Sequence, residues 1–236
     1  MTLKKKPSSA ASSAKTSFLE SLASPLVDEL RAIEGVKRLT SNTDVIGAHA
    51  EAAVRSFVSR VVYPLRVSTG AVIDEHLPDS EVPQVDTIVW LPCPAPALFE
   101  VGHFGLVPRS SAMAIMEIKR SAYAGVGEAL RKRLASKFVK KTVADDPPGW
   151  VGTADPALYP DFPALGVVCV RETKSKDKHL DKLIETGRAV VLFDLTGEPK
   201  VNAEGAWRLV NFLVRARARA RLWDGAGLAN IAQLRR

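Results

Sequence analysis

Two charges of opposite sign stand near the end of an apolar segment, AMAIMEIK, at residues 112–119. Side chains alternate along a strand with a period of two, so Glu117 and Lys119 would lie on the same face. Burying a charged side chain beside such a segment costs on the order of several kcal/mol of folding free energy unless the charge is paired or holds a metal ion. The pair indicates a functional site, a simple cross-strand ion pair, or a strand end that reaches solvent.

A second predicted strand, QVDTIVW at residues 84–90, also carries a buried-looking charge. Alternation places Asp86 on one face with Gln84, Ile88 and Trp90, and the opposite face carries Val85, Thr87 and Val89. Asp86 therefore interrupts an apolar stripe. If the two strands are neighbours, two carboxylates and an ammonium meet at one sheet edge, which is an oxygen-ligand site suited to Mg²⁺ or Mn²⁺.

A third carboxylate precedes these strands on a predicted helix at residues 44–63, which Pro64 ends. Ile46, Ala50, Val54, Phe57, Val58 and Val61 are among the residues of its apolar face. Glu51 lies at the border of that face, where it could turn toward the sheet or stay solvated. The histidines form no HExxH or HxH pattern, and the sequence contains no serine-hydrolase elbow and no complete phosphate-binding glycine loop.

Composition limits the class of protein. The chain has 236 residues, 46% of them hydrophobic, and no apolar run of the roughly 20 residues that span a membrane. Cys93 and Cys169 are far apart, which favours two buried cysteines in a reducing cytoplasm over a disulfide or zinc site. Four of the lysines behind the net charge of +7 lie near the N-terminus, so residues 1–20 are predicted to be a disordered basic arm, followed by a single domain at residues 21–236.

Periodicity predicts the other elements. A helix starts at Ser24 and Pro25, strands follow at residues 66–74, 84–91 and 111–119, and a helix covers residues 125–141. A central strand at residues 164–171, a short helix ended by Gly187, a strand at residues 189–195 and a long helix from Ala203 complete the chain. The first three strands have no crossover helix between them and are predicted to be antiparallel. The Pro/Asp-rich residues 142–163 are predicted to form a long loop.

Basic residues are concentrated on two predicted helices. Arg133, Lys137, Lys140 and Lys141 fall within one arc of the helix at residues 125–141, which suits sequence-independent phosphate binding or an ordinary solvated face. Arg215, Arg217, Arg219 and Arg221 form two stripes on the last helix, so they either contact nucleic acid or favour the C-terminal end of that helix.

The order of Glu51 on a helix, QVD at residues 84–86 and EIK at residues 117–119 resembles the PD-(D/E)XK nuclease superfamily, in an uncharacterised bacterial branch. The resemblance implies an α/β fold: a restriction-endonuclease-like α-β-β-β-α-β core with a central mixed sheet flanked by helices. It covers a little over half of the chain. Val85 stands where the name of the superfamily has proline.

The same resemblance implies a role for each matching residue. Asp86 and Glu117 would bind Mg²⁺ or Mn²⁺, and Lys119 would orient or polarise the attacking water. Glu51 would correspond to the acidic residue of the first core helix, and Gln84 would order a metal-bound water or a phosphate.

The resulting prediction is a cytoplasmic, magnesium-dependent endonuclease that acts on DNA rather than RNA, in defence against foreign nucleic acid, without contact with a membrane. The prediction allows a homodimer or a complex with a partner subunit. The alternatives are a catalytically silent nucleic-acid-binding or scaffold protein of the same fold and a different metal-dependent hydrolase.

Overall fold

The computed structural model describes residues 21, 24–26, 28–30, 32, 39–74, 84–92, 96–145, 163–172, 177–195 and 200–234, with side chains up to residue 222. The predicted arm at residues 1–20, most of the predicted loop at residues 142–163, and Cys93 lie outside the described residues. No helix within the described ranges combines the length and the apolar character needed to cross a bilayer.

Five helices and eight strands make up the described part of the domain. The helices are α1 (Thr43–Val62), α2 (Val126–Arg133), α3 (Ser136–Thr142), α4 (Lys178–Glu185) and α5 (Ala203–Leu234). The strands are β1 (Arg66–Ile73), β2 (Gln84–Trp90), β3 (Phe99–Val101), β4 (Phe104–Pro108), β5 (Ala112–Ser121), β6 (Ala164–Arg171), β7 (Ala189–Asp194) and β8 (Lys200–Val201). Residues 24–26 and 28–30 are also helical, as Ser24 and Pro25 predict.

All eight strands form one mixed sheet in the order β3-β4-β1-β2-β5-β6-β7-β8. Strand β2 pairs antiparallel with both β1 and β5, which confirms the prediction for the first three strands. Strands β5, β6 and β7 run parallel, with β6, apolar up to its last residue Arg171, at the centre. The sequence analysis missed β3 and β4, because they are short and their exposed residues lack the alternation of a half-buried strand.

Helices cover both faces of the sheet. The first core cluster packs α1 and α5 on one face through residues such as Val54, Val58, Leu209 and Leu213. The second packs α2, α3 and α4 on the other through Leu130, Leu134, Val139 and Leu180. The observed core α1-β1-β2-β5-α2-β6 confirms the predicted α-β-β-β-α-β order and the mixed sheet flanked by helices. Strands β3 and β4 come between β2 and β5 in the sequence, but in the sheet they lie at the edge beyond β1.

The helix predicted at residues 125–141 is two helices, so its predicted continuity is wrong. Ala135 has an extended backbone (φ −64°, ψ 141°) and stands between α2 and α3. Arg188 donates a hydrogen bond to the Leu134 carbonyl group, which the end of α2 leaves without a helical partner. Because of the break, both Leu134 and Val139 reach the same core cluster.

The ends of α1 and α5 follow their local sequence. The Asn42 side chain accepts from the amides of Asp44 and Val45 and so caps α1, and Pro64 follows its last turn. Asn202 accepts from the amide of Gly205 at 3.1 Å at the start of α5. Helix α5 continues to Leu234, whereas periodicity predicts that it ends at Trp223.

Candidate active site

Strands β2 and β5 bring Asp86 and Glu117 to the same part of the sheet. The Asp86 Oδ2 atom accepts a hydrogen bond of 2.8 Å from the backbone amide of Ile118, next to Glu117. This bond crosses from one strand to the other and fixes one oxygen of the carboxylate. The other oxygen makes no hydrogen bond with any residue that the structure describes.

A bulge in β2 places Asp86. Between the pairs Ser68–Ile88 and Gly70–Val85, one residue of β1 stands opposite two residues of β2, Asp86 and Thr87. The period of two is therefore interrupted, and Val85 packs in the same core cluster as Ile88. The predicted separation of these two side chains onto opposite faces is wrong, because a bulged strand holds one extra residue and re-aims its side chains.

Glu117 is the most buried of the site residues, with its side chain 9% exposed. Its Oε1 atom accepts a hydrogen bond of 2.8 Å from Nζ of Lys119. Burial raises the pKa of Glu117, the negative charge of Asp86 raises it further, and Lys119 and Arg133 act in the opposite direction. Two carboxylates close enough to oppose each other's ionisation form a place that favours a cation.

Lys119 keeps its proton at this site. Burial alone would lower its pKa, but the hydrogen bond and the charge of Glu117, together with Asp86, raise the pKa of Lys119 above its usual value. An ammonium group in this state donates hydrogen bonds and stabilises negative charge, and it does not take a proton from water at neutral pH.

Helix α1 brings Glu51 to the edge of the same group. Burial and the negative charge of Asp86 raise the pKa of Glu51, while Arg55 and Lys119 lower it. The two carboxylates therefore lie within electrostatic range of each other across the α1–β2 contact. Burial of the thiol raises the pKa of Cys169 in β6 to about 12, and the negative charge of Glu51 raises it further.

Arg55 joins the helix to the strand, a role that the sequence analysis missed. Its Nη1 atom lies 3.5 Å from Oε2 of Glu51 and donates to the backbone carbonyl of Asp86 at 3.3 Å. The spacing of four residues between Glu51 and Arg55 is the available sequence signal for an ion pair on one helix face. The contact with Asp86 has no sequence signal, because 31 residues separate the partners.

The four basic residues predicted to bind nucleic acid are divided between the two helices. Arg133 ends α2, with Nε 3.8 Å from Oε1 of Glu117 and its guanidinium 5.4 Å from the Phe138 ring centroid. Lys137, Lys140 and Lys141 are exposed on α3, and no ion pair joins them to the described site residues. Only Arg133 is thus shown beside the carboxylates.

Gln84 is exposed at the first position of β2. Among the described side chains, none of the four charged site residues makes a hydrogen bond with it. Its role stays a prediction.

Two of the four predicted arginines of α5 contact backbone carbonyl groups of the domain. Arg219 is 2% exposed and donates to the carbonyl groups of Met113 and Ala144, each at 2.9 Å. Arg217 donates to the carbonyl group of Val61 at 3.4 Å. These two residues hold α5 against the core, so contact with nucleic acid is the wrong interpretation for Arg219.

The site fits a magnesium ion with few protein ligands. In the described ranges, no group of three or more His, Cys, Asp or Glu side chains has the arrangement of a metal site. Mg²⁺ is commonly held by one or two carboxylates together with water and substrate phosphates. Asp86 and Glu117 supply that number of hard oxygen donors, and their mutual repulsion would be relieved by a divalent cation.

Comparison with known proteins identifies the fold. No protein-family model matches the sequence, and curated protein sequences give no match. Among solved structures, NucC of E. coli MS115-1 in its cAAA-bound form is 17% identical, with a TM-score of 0.53 over 94% of this chain and 93% of that chain. NucC of P. aeruginosa ATCC27853, also cAAA-bound, is 15% identical, with a TM-score of 0.55 over 91% of this chain and 93% of that chain.

These likenesses cover the whole sheet rather than the motif segment alone. Such low identities establish shared architecture, and they leave the activity of this chain to its own residues. The resemblance inferred from Glu51, QVD and EIK is confirmed at the level of the fold: the chain has the restriction-endonuclease-like fold of NucC.

Proposed function

We propose that this protein is a metal-dependent nuclease that hydrolyses phosphodiester bonds in DNA. The observation that carries the proposal is the meeting of Asp86, Glu117 and Lys119 from neighbouring strands, with opposed carboxylate charges beside a protonated lysine. Lys119 and Arg133 both lie beside Glu117, whereas no described side chain forms an ion pair with the Asp86 carboxylate. A carboxylate without a described counter-ion next to Glu117 favours a catalytic site over simple charge compensation.

The residues divide the work of hydrolysis. Asp86 and Glu117 would hold a divalent cation, which when bound activates water and stabilises the charge that develops on the phosphate. Lys119 donates one hydrogen bond to Glu117 Oε1, and the remaining N–H groups of its ammonium would donate to the attacking water or to a phosphate oxygen. Arg133 holds a phosphate oxygen beside Glu117. Glu51 is held by Arg55 and orients water at the metal.

The test is cleavage of supercoiled plasmid and of linear duplex by the purified full chain, with Mg²⁺, Mn²⁺ or a chelator. We expect cleavage with a divalent cation and none with the chelator. Glu117→Ala should lower the rate about 10²-fold or more, the usual effect of losing an electrostatic catalytic group. Absence of cleavage under all conditions would favour the alternative of a silent nucleic-acid-binding or scaffold protein. Equal cleavage by the variant would instead show that Glu117 is not part of the catalytic site.

Each reaction should be run with and without cAAA. Both NucC structures with the same fold are cAAA-bound forms, so we include cAAA among the candidate activators of this chain. An RNA of the same sequence as the duplex tests the preference for DNA. A role in defence against foreign nucleic acid stays a prediction.

A further inference from the structure

A basic groove adjoins the candidate active site on the exposed side of α1. Its volume is about 370 Å³, and one wall is α1 while the other includes β1 and the turn between β3 and β4. We name it the α1 groove, lined by Ala52, Arg55, Ser56, Ser59, Arg60, Val67 and His103.

The floor of the α1 groove consists of short side chains. Ala52, Ser56 and Ser59 recur at intervals of four and three residues, so they share one stripe of the helix. All three are exposed. Their small size leaves room beside the helix that longer side chains would fill, and a strand of sugar and phosphate can approach the backbone there.

Some hydrogen-bond donors of the groove already have acceptors, since the Ser59 hydroxyl group donates to the Arg55 carbonyl and Arg60 Nε donates to the Ser56 carbonyl, but others have none among the described residues. Within the part of the chain that the structure describes, Arg55 uses Nη1 alone, and neither its Nε nor its Nη2 atom has a hydrogen-bond partner. The Arg55 side chain is only 14% exposed, so these donors are directed by packing rather than dispersed in water. The hydroxyl group of Ser56 likewise has no described partner.

Arg60 supplies the second cation. It lies 3.5 Å from Glu29, and both side chains are exposed, 54% and 41%. Exposed pairs of this kind are weak and easily exchanged for another anion. His103 faces Arg60 across the groove, and its backbone carbonyl accepts from the Thr69 amide at 2.7 Å, which fixes the turn against β1.

The spacing of the two arginines suits a nucleic-acid strand. Five residues of α-helix separate Arg55 from Arg60, a rise of about 7.5 Å. Both residues line the same groove, so their guanidinium groups can meet different phosphates of one strand. Because Arg55 also contacts Glu51 and the Asp86 carbonyl group, the α1 groove begins at the carboxylates and leads away from them.

We infer that the α1 groove binds phosphate groups of the substrate strand next to the scissile bond, with Arg55 and Arg60 each meeting one phosphate. This inference rests on the proposed function, because it uses the strand that the nuclease would cleave. The groove reads no base, so it contributes affinity and register without sequence preference.

The test measures affinity for a fluorescent duplex by anisotropy at several salt concentrations, with a chelator present to stop cleavage. Arg60→Gln should reduce the slope of log K against log salt by about 0.9, the contribution of one phosphate contact. Affinity should fall by the same factor for two unrelated sequences. Arg60→Lys, which keeps the charge, should keep the slope.

Two controls distinguish phosphate binding in the groove from a general effect of surface charge on duplex affinity. Lys182→Gln removes an exposed cation from α4, on the opposite face of the sheet, and should leave the slope unchanged. Ala52→Glu puts a carboxylate on the groove floor and should weaken binding more than Ala48→Glu, which adds the same charge one turn earlier on exposed α1.

The outcomes distinguish the two proposals. Phosphate binding in the α1 groove would be refuted if Arg60→Gln leaves the slope unchanged, or if Ala52→Glu and Ala48→Glu have equal effects. This holds even if the wild type cleaves DNA. Failure of the wild type to bind duplex would also overturn it. Binding with the expected slopes but no cleavage with any metal would support the groove and refute the nuclease. If Arg60→Gln loses binding of cAAA but keeps its affinity for duplex, the groove binds the nucleotide and the inference is overturned.

Discussion

Replacing Glu117 by glutamine should stop catalysis and stabilise the protein at neutral pH. Glutamine keeps the shape of the side chain and an oxygen that accepts from Lys119, but it removes a charge that is buried beside Asp86. Cleavage should fall about 10²–10³-fold, which corresponds to about 2.7–4 kcal/mol of lost transition-state stabilisation. The negative charge of Glu117 destabilises the folded protein but supports catalysis. The substitution should therefore raise stability and lower the cleavage rate.

The size of the stabilisation follows from opposing contributions at Glu117. Burial of the carboxylate costs on the order of several kcal/mol, and the hydrogen bond from Lys119 returns about 1.5–3 kcal/mol. The raised pKa of Glu117 means that the unfavourable free energy of burying the carboxylate exceeds the stabilisation by the hydrogen bond. A net gain of about 1 kcal/mol on neutralisation would raise Tm by about 2–4 °C in a chain of this size.

The dependence on pH has a definite sign. The folded protein holds the Glu117 proton more tightly than the unfolded chain, whose pKa is near 4.5. The contribution of this carboxyl to stability is therefore complete below pH 4.5 and decreases as the pH rises through the folded pKa. The difference in Tm between Glu117→Gln and the wild type should be near zero below pH 4.5 and should increase as the pH rises to 7.5.

Glu128 offers a matched control with the opposite sign. Its hydrogen bond with Arg131 lowers the pKa of Glu128 to about 2, and the pair lies on the surface of α2. Glu128→Gln should bring no stabilisation at neutral pH and leave cleavage unchanged. Thermal unfolding of the three proteins across this pH range is the measurement. A Glu117→Gln variant that melts below the wild type at pH 7.5, or that still cleaves, would refute the reasoning.

Three further variants test the site and its supports. Lys119→Ala should lower cleavage about 10²-fold or more while circular dichroism and duplex binding stay near those of the wild type; normal cleavage would remove Lys119 from the mechanism. Gly127→Ala should lower the free energy of unfolding in urea by about 1–3 kcal/mol, because its new Cβ would lie 2.2 Å from the Leu180 backbone nitrogen where α2 meets α4; an unchanged urea midpoint would contradict that contact. Arg219→Met should destabilise the protein by about 1–3 kcal/mol, since it leaves the buried Met113 and Ala144 carbonyl groups without their donor; a stability equal to the wild type would show that water replaces the arginine.

Local sequence predicted the elements that carry the site. The apolar positions of α1 recur at helical spacing, with Asn42 before the helix and Pro64 after it, and these features act over a few residues. The apolar segment that ends in Glu117 and Lys119 likewise defined β5 and its charged end. The order of elements then indicated that Asp86 and Glu117 lie on neighbouring strands, as they do.

Tertiary structure alone decided how the site is held. The bulge at Asp86 exists only in the pairing of β2 with β1, so alternation within β2 gave the wrong face for Val85. The break at Ala135 separates α2 from α3, and Arg133 at the end of α2 lies 3.8 Å from Glu117.

The same limit applies to the supporting arginines. Arg219 and Arg55 bind carbonyl groups that lie 106 and 31 residues away. A backbone carbonyl has the same chemistry at every residue, so no side-chain pattern identifies which one an arginine will meet. The sequence by itself determined which charged groups this protein has and the elements that carry them, and packing of those elements decided which groups meet.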